Sequence, residues 1–292
     1  MKHLRLDDHD LGLQEDLRRI AALRERRRIL GWMLGGSAAL LAGCGGDDGT
    51  PQTSASNGSS GGSSSGGGTS SGSCVANAEE TAGPYPSDGS NTVNGAVSNV
   101  LAQSGVVRSD IRSSFGVSTN VAGGVPLTLV LSLVNSNNVC APLVGCAVYL
   151  WHCTREGGYS LYSNGVQDEN YLRGVQVSDA NGQVTFQTIF PGCYSGRYPH
   201  IHFEVYPSLG YATLYTNKLQ TSQLALPRDV CSTVYSGASG YSASVGNLSR
   251  VTVSGDNVFG DNSAAQIAAM TPSLTGSIAD GYAGALTIGV PA

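Results

Sequence analysis

Five short runs of β-branched and aromatic residues limit what this chain can fold into. They are LTLVLSLV at 127–134, CAVYLWH at 146–152, QVTFQTI at 183–189, HIHFEVY at 200–206 and RVTVS at 250–254. Gly, Asn, Asp and Pro interrupt them, and DANGQ at 179–183 is a turn signal between two of the runs. Runs this short and this often broken predict an all-β architecture. The expected form is an antiparallel β-sandwich with Greek-key-like topology and long loops. Only SAAQIAAM at 263–270 reads as a helix, and no internal repeat is present.

Three segments follow from composition. Half of the 16 basic residues fall in the first 28 positions, ahead of the 15-residue apolar run ILGWMLGGSAALLAG at 29–43. That run is short for a membrane span and suits a signal-peptide core, so residues 1–43 are expected to be a signal peptide. LAGC at 41–44 has the pattern of a bacterial lipoprotein cleavage site, with Cys44 as the lipidated residue. ERRRIL just upstream resembles a twin-arginine export motif, with Arg26 and Arg27 as the pair. An ordinary membrane anchor or general secretory signal is the plainer alternative. Residues 45–73 contain 10 Gly and 10 Ser. Such a segment cannot bury a core and reads as a flexible tether with a reach of about 30 Å.

Residues 74–292 remain, enough for one domain with a sizeable core. The whole chain carries a formal charge of −5 and shows no basic stripe, which argues against a nucleic-acid partner. Cys74, Cys140, Cys146, Cys153, Cys193 and Cys231 allow up to three disulfides in an exported domain. No CxxC pair is present to favour a thiolate metal site.

The domain holds only His152, His200 and His202. On a strand, alternate side chains share a face, so His200, His202 and Glu204 lie together opposite Ile201, Phe203 and Val205. Two imidazoles so spaced can grip one metal ion. A solvated polar strand face is the alternative reading.

The surrounding motifs widen the case. VYLWHCTREGGYSLY, YLRGVQVSDANGQVTF and TIFPGCYSGRYPHIHFEV occur in order, with TAGPY at 81–85 before them and TSQL at 221–224 after. Together they resemble the intradiol ring-cleavage dioxygenases, the family of catechol 1,2-dioxygenase and protocatechuate 3,4-dioxygenase, over about residues 74 to 235. The resemblance implies non-haem Fe(III) held by Tyr159, Tyr194, His200 and His202. It implies a catecholic substrate, cleaved by O2 between its hydroxyl-bearing carbons to a cis,cis-muconate-type diacid. Tyr194 would yield its place to the diol and act as base, Arg197 would steady negative charge on the substrate, and Gln223 would sit near substrate and O2. Tyr162 competes with Tyr159 as the ligand, and the G-x-Y-S match favours Tyr159. His152 is expected to be structural, Arg173 and Arg112 to be ion-pair or loop anchors, and Tyr85 to line the pocket or pack beside it. The loop SGRYP is shorter than in the catabolic enzymes, implying a more open site. Two other readings compete: a non-catalytic envelope β-sandwich that binds ligand, and a Zn or Cu enzyme using His200 and His202.

Overall fold

The computed structural model describes residues 74–292. The expected signal peptide, Cys44 and the Gly/Ser tether lie outside the described residues. The described chain is rich in strands: β1 (Asp88–Val93), β2 (Ala96–Asn99), β3 (Pro126–Asn135), β4 (Ala141–Pro142), β5 (Ala147–Trp151), β6 (Arg173–Val177), β7 (Gln183–Ile189), β8 (His200–Tyr206), β9 (Gln220–Ala225), β10 (Ser273–Ser277) and β11 (Gly281–Val290). The helices α1 (Arg228–Gly237), α2 (Ser242–Leu248) and α3 (Ala264–Met270) lie between β9 and β10.

The strands form a β1–β2 hairpin and two larger sheets. One sheet runs β10-β11-β3-β4, with β7 also paired to β3, and the other runs β6-β5-β8-β9. Pairing is antiparallel except between β3 and β11, which are parallel. The antiparallel expectation therefore fails at one seam, where the C-terminal strand returns alongside β3.

Alternation explains how the two larger sheets share a core. Leu127, Leu129, Leu131 and Leu133 of β3 and Val184 and Phe186 of β7 join one buried cluster. Val148 and Leu150 of β5 and Ile201, Phe203 and Val205 of β8 complete it from the other sheet. The opposite face of the β5–β8 sheet is covered too. Ala147, Tyr149, Trp151 and Tyr206 pack there with Val100, Leu101 and Val106. Every residue of β8 is therefore buried, and the solvated-face reading of His200 and His202 is excluded.

Four expected runs match β3, β5, β7 and β8, and the helix at 263–270 matches α3, which Ser263 and Gln266 close with a capping box. RVTVS at 250–254 is not a strand. Val251 packs into the core as expected of an alternating pattern, but its carbonyl accepts from the Arg228 guanidinium rather than a neighbouring strand. The segment turns after α2 instead. Helix α1 was hidden by its Ser, Thr and Gly content. It forms because Cys231, Val234 and Tyr235, spaced i, i+3, i+4, pack on the core.

Among the described residues one disulfide is present, Cys74–Cys140. Cys146, Cys153, Cys193 and Cys231 are buried thiols. They fill core positions as small apolar side chains, so fewer bridges form than the cysteine count allowed. The bridge spans 66 residues of sequence. Closing a loop of that size restricts the unfolded chain strongly. Cys140→Ser is expected to lower unfolding free energy by about 2–5 kcal/mol. Denaturant titration with and without reductant checks this: reduction should destabilise the parent and leave the variant unchanged.

Candidate metal centre

Four donor atoms converge on the face of β8 that carries His200 and His202. The Nε2 atoms of the two imidazoles are 3.0 Å apart. The Tyr159 hydroxyl lies 3.3 Å from His200 Nε2 and 3.2 Å from His202 Nε2, and the Tyr194 hydroxyl lies 3.3 Å from His200 Nε2. Tyr159, His200 and His202 are buried and Tyr194 is half-buried, so the cluster opens on the Tyr194 side. Ser195 and Gly196, next to Tyr194, are exposed.

Each donor is held from outside the cluster. His200 Nδ1 is 2.6 Å from the Tyr198 carbonyl, an acceptor only, so Nδ1 carries the proton and Nε2 the lone pair. His202 lies flat on Trp151, with ring centroids 4.8 Å apart and planes within 6°. Thr154 organises both tyrosine segments. Its amide donates to the Gly158 carbonyl at 2.7 Å, and its own carbonyl accepts from the amides of Gly157 and Gly192 at 3.0 Å each. Gly157 has φ +96°, and a Cβ there would stand 3.0 Å from Tyr194 Cβ, so glycine is needed where the two segments meet. On the Tyr194 side, the Cys193 amide donates to Ser244 Oγ and the Asn247 amide donates to the Cys193 carbonyl, both from α2.

Burial sets the protonation states. It drives the His200 imidazole down to about 3, helped by the positive charge of Arg197, and holds His202 well below its ordinary value. Both rings are therefore neutral, as metal ligands must be. Burial, followed by the nearness of Tyr194, raises the Tyr159 phenol well above its ordinary value. A phenol so placed ionises only against a strong positive charge. Among the described residues no three His, Cys, Asp or Glu side chains gather to hold a metal. Two imidazole nitrogens and two phenol oxygens make up this donor set, and hard phenolates suit a trivalent ion better than zinc.

Arg197 is fully buried between two partners. Its Nε donates to Asp256 Oδ2 at 3.0 Å and its Nη2 to Gln223 Oε1 at 2.7 Å. Gln223 lies directly opposite His202 across β8–β9, and its own amide donates to the Thr81 carbonyl at 2.8 Å. The Asp256 carboxylate also accepts from the amides of Tyr198, Val258 and Phe259. Burial alone would raise that carboxyl, but Arg197 and the Tyr198 amide overturn the effect and hold it below its ordinary value.

The other singled-out residues take outlying places. Tyr162 donates to Asn91 Oδ1 at 3.0 Å and makes no hydrogen bond to either histidine, which separates it from Tyr159. Tyr85 packs between Tyr159 and Tyr162, at centroid distances of 4.9 and 5.1 Å. His152 is buried, bonded to the Cys153 carbonyl and Thr188 Oγ1, and burial lowers it to about 4. Arg173 anchors loops: it donates to the carbonyls of Ser160, Tyr85 and Pro86, tying the segment after Tyr159 to the TAGPY segment. Arg112 pairs with Asp110 at 2.7 Å.

Known proteins share this arrangement of strands and motifs. Residues 116–219 match the dioxygenase family model, a stretch that includes Tyr159, Tyr194, Arg197, His200 and His202. A chlorocatechol 1,2-dioxygenase of Rhodococcus opacus is 30% identical over 114 residues, which are 32% of this chain and 44% of that protein. The chain thus matches less than half the length of this curated relative. The intradiol ring-cleavage dioxygenase of Tetranychus urticae superposes with a TM-score of 0.57 at 24% identity, covering 75% of this chain and 96% of that one. Over this stretch the domain is similar to the intradiol ring-cleavage dioxygenases.

Within this domain, Asp256 is the site residue that sequence reasoning missed. It lies beyond the matched stretch, two residues past the end of the run RVTVS that was read as a strand. The signal available was GDN at 255–257, a turn tripeptide unsuited to a strand. Asp256→Ala is expected to destabilise the protein by about 3–5 kcal/mol, because Arg197 would stay buried with its carboxylate removed. Asp256→Asn, which keeps an acceptor for the backbone amides, should lose less. Denaturant unfolding of both variants measures the difference.

Proposed function

We propose that the domain is a non-haem Fe(III) intradiol dioxygenase. It opens a catechol-type ring with O2 between the two hydroxyl-bearing carbons, yielding a cis,cis-muconate-type diacid. The observation that carries this reading is the convergence of Tyr159, Tyr194, His200 and His202, with contacts of 3.0–3.3 Å, beside a buried arginine. The catecholic substrate is supported by the similarity to the intradiol dioxygenases and to the chlorocatechol 1,2-dioxygenase relative.

Ferric iron, when bound, supplies a Lewis-acidic centre that takes a chelating diol and prepares the ring for O2. The four side chains divide the remaining tasks. His200 and His202 are neutral, fixed donors, their rings set by the Tyr198 carbonyl and by Trp151. Tyr159 is the buried, permanent phenolate. Tyr194 is half-exposed and would be the donor that gives way, its Oη placed to take a proton from an incoming diol. Arg197 places a full positive charge beside the cluster and steadies negative charge on the substrate. Gln223 acts by holding Arg197, since its carbonyl accepts from the guanidinium while its amide is held by Thr81. Tyr85, packed against Tyr159, would flank the position of a flat ring at the site.

The domain acts outside the cytoplasm, held to a membrane by lipid on Cys44. The Cys74–Cys140 bridge suits an oxidising compartment. Among the described residues no helix is long and apolar enough to cross a membrane.

Purified protein is expected to bind about one iron per chain and to be red-brown from phenolate-to-iron charge transfer. Tyr159→Phe should shift or abolish that band, whereas colourless protein with stoichiometric zinc overturns the assignment. O2 uptake is measured against catechol, protocatechuate, hydroxyquinol and chlorinated or alkylated catechols, with products identified by mass. Arg197→Ala should keep colour and substrate binding but lose about 10²–10³ in turnover. His200→Ala or His202→Ala should lose iron and activity together. Opening of the ring beside the diol, or no turnover by iron-loaded protein, refutes the mechanism.

Processing is tested separately. Mass spectrometry of protein from its native membrane should show a chain beginning at a lipid-modified Cys44. An unmodified chain running through residue 44 contradicts it.

A further inference from the structure

The segment between β8 and β9 has an unusual surface. Among the described residues, every exposed leucine and tyrosine lies within it: Leu209, Tyr211, Leu214, Tyr215 and Leu219. Elsewhere the exposed large apolar side chains are isolated valines. Clustering of this kind on a surface marks a contact site.

The segment is an ordered platform. Ala212 is buried in the second cluster beneath it, and the Asn217 side chain donates to the Tyr211 carbonyl. Backbone bonds Ala212 to Leu209, Leu214 to Tyr211 and Asn217 to Leu214 close its turns, and the Leu219 amide returns to Val205. Residues 207–219 contain no acidic residue and one base, Lys218. Lys218 is turned inward, its Nζ 2.8 Å from buried Glu204 and 3.8 Å from buried Asp88. The adjoining hairpin, residues 89–99, is also without charge, and its Asn99 donates to the Thr213 carbonyl. Leucine and tyrosine on an uncharged, rigid surface are the composition of a membrane-interface contact, where the tyrosine hydroxyl meets the headgroups and the ring meets the acyl boundary.

The chain's own path selects the partner. Asn77, three residues after Cys74, accepts through its carbonyl from Gln220 at 2.7 Å, and the Glu80 amide donates to the Thr221 carbonyl at 2.8 Å. Gln220 directly follows Leu219. The N-terminal part of the domain therefore runs beside the apolar segment, and 29 residues separate Cys74 from Cys44. A lipid on Cys44 would deliver this face to a bilayer within the tether's reach of about 30 Å.

We propose that Leu209, Tyr211, Leu214, Tyr215 and Leu219 seat the domain on the bilayer interface, a proposal that rests on the lipid-anchor reading above. His200 begins β8 and Tyr206 ends it, about 20 Å away at strand rise. Seating on this segment leaves the metal centre in the aqueous phase.

The test uses the full mature chain on vesicles of phosphatidylethanolamine and phosphatidylglycerol. The chain is held by its own lipid or, where mass spectrometry shows Cys44 unmodified, by a maleimide lipid on that thiol, so failure of the anchor reading is scored apart from failure of the seat. Hydroxyl-radical footprinting reads side-chain exposure on vesicles and free in solution. Tyr211, Leu214 and Tyr215 should lose labelling severalfold on vesicles relative to exposed Val117 and Val121. Labelling unchanged on vesicles overturns the proposal. Protection that needs no vesicles and grows with protein concentration overturns it too, and assigns the face to a second copy of the chain.

Discussion

Strand β8 is buried on both faces, and the rest of the domain is arranged around that constraint. Its odd-numbered residues, Ile201, Phe203 and Val205, knit the two larger sheets into one core. Its even-numbered residues, His200, His202 and Glu204, are thereby forced into a low-dielectric layer on the other side. Polar groups in such a layer must find partners, and each partner comes from a different part of the chain. Tyr159 arrives from the loop after β5, Tyr194 from the loop after β7, Lys218 from the segment before β9, and Trp151 from β5 itself. A strand that builds the core with one set of side chains thus recruits the site with the other.

Arg197 imposes a second demand. A guanidinium with one per cent exposure needs its charge balanced in place. Asp256 answers it from the far side of α2, and Gln223 answers it from β9. Because Asp256 also gathers the amides of Tyr198, Val258 and Phe259, the helical insertion after β9 is fastened to the loop that leads into β8. The charge beside the donor cluster and the attachment of the α-helical region are one arrangement.

Much of this was legible in the sequence. The alternation of HIHFEVY placed both histidines on one face. The family motifs named Tyr159, Tyr194, Arg197 and Gln223, which the structure places around those histidines. Of two nearby tyrosines, Tyr162 turns to Asn91 and Tyr159 turns to the histidines. What stayed hidden depended on distant contacts. The parallel return of β11 beside β3 leaves no mark in local pattern, because GYAGALTIGV is small and glycine-rich and becomes a strand only through its neighbour. Helix α1 is made helical by its packing. Asp256 lay just past a run whose valines alternate as in a strand, although the Val251 carbonyl is claimed by Arg228. Cysteine number overstated the cross-linking, since four of the six serve as core volume.

The Cys74–Cys140 bridge also governs how the domain carries load. Immediately after it the chain lies along β9, where Thr81 grips the side chain that holds Arg197. A pull arriving from the N-terminal side would, without the bridge, peel this segment away from β9 and slacken the charge beside the donor cluster. With the bridge closed, the force passes at Cys74 into Cys140 and the turn that follows β3, a strand paired on both sides along most of its length. The domain has a mechanical bulkhead: a force reaching Cys74 from the N-terminal side is borne first by the sulfur–sulfur bond, and Thr81, Gln223 and Arg197 sit behind it.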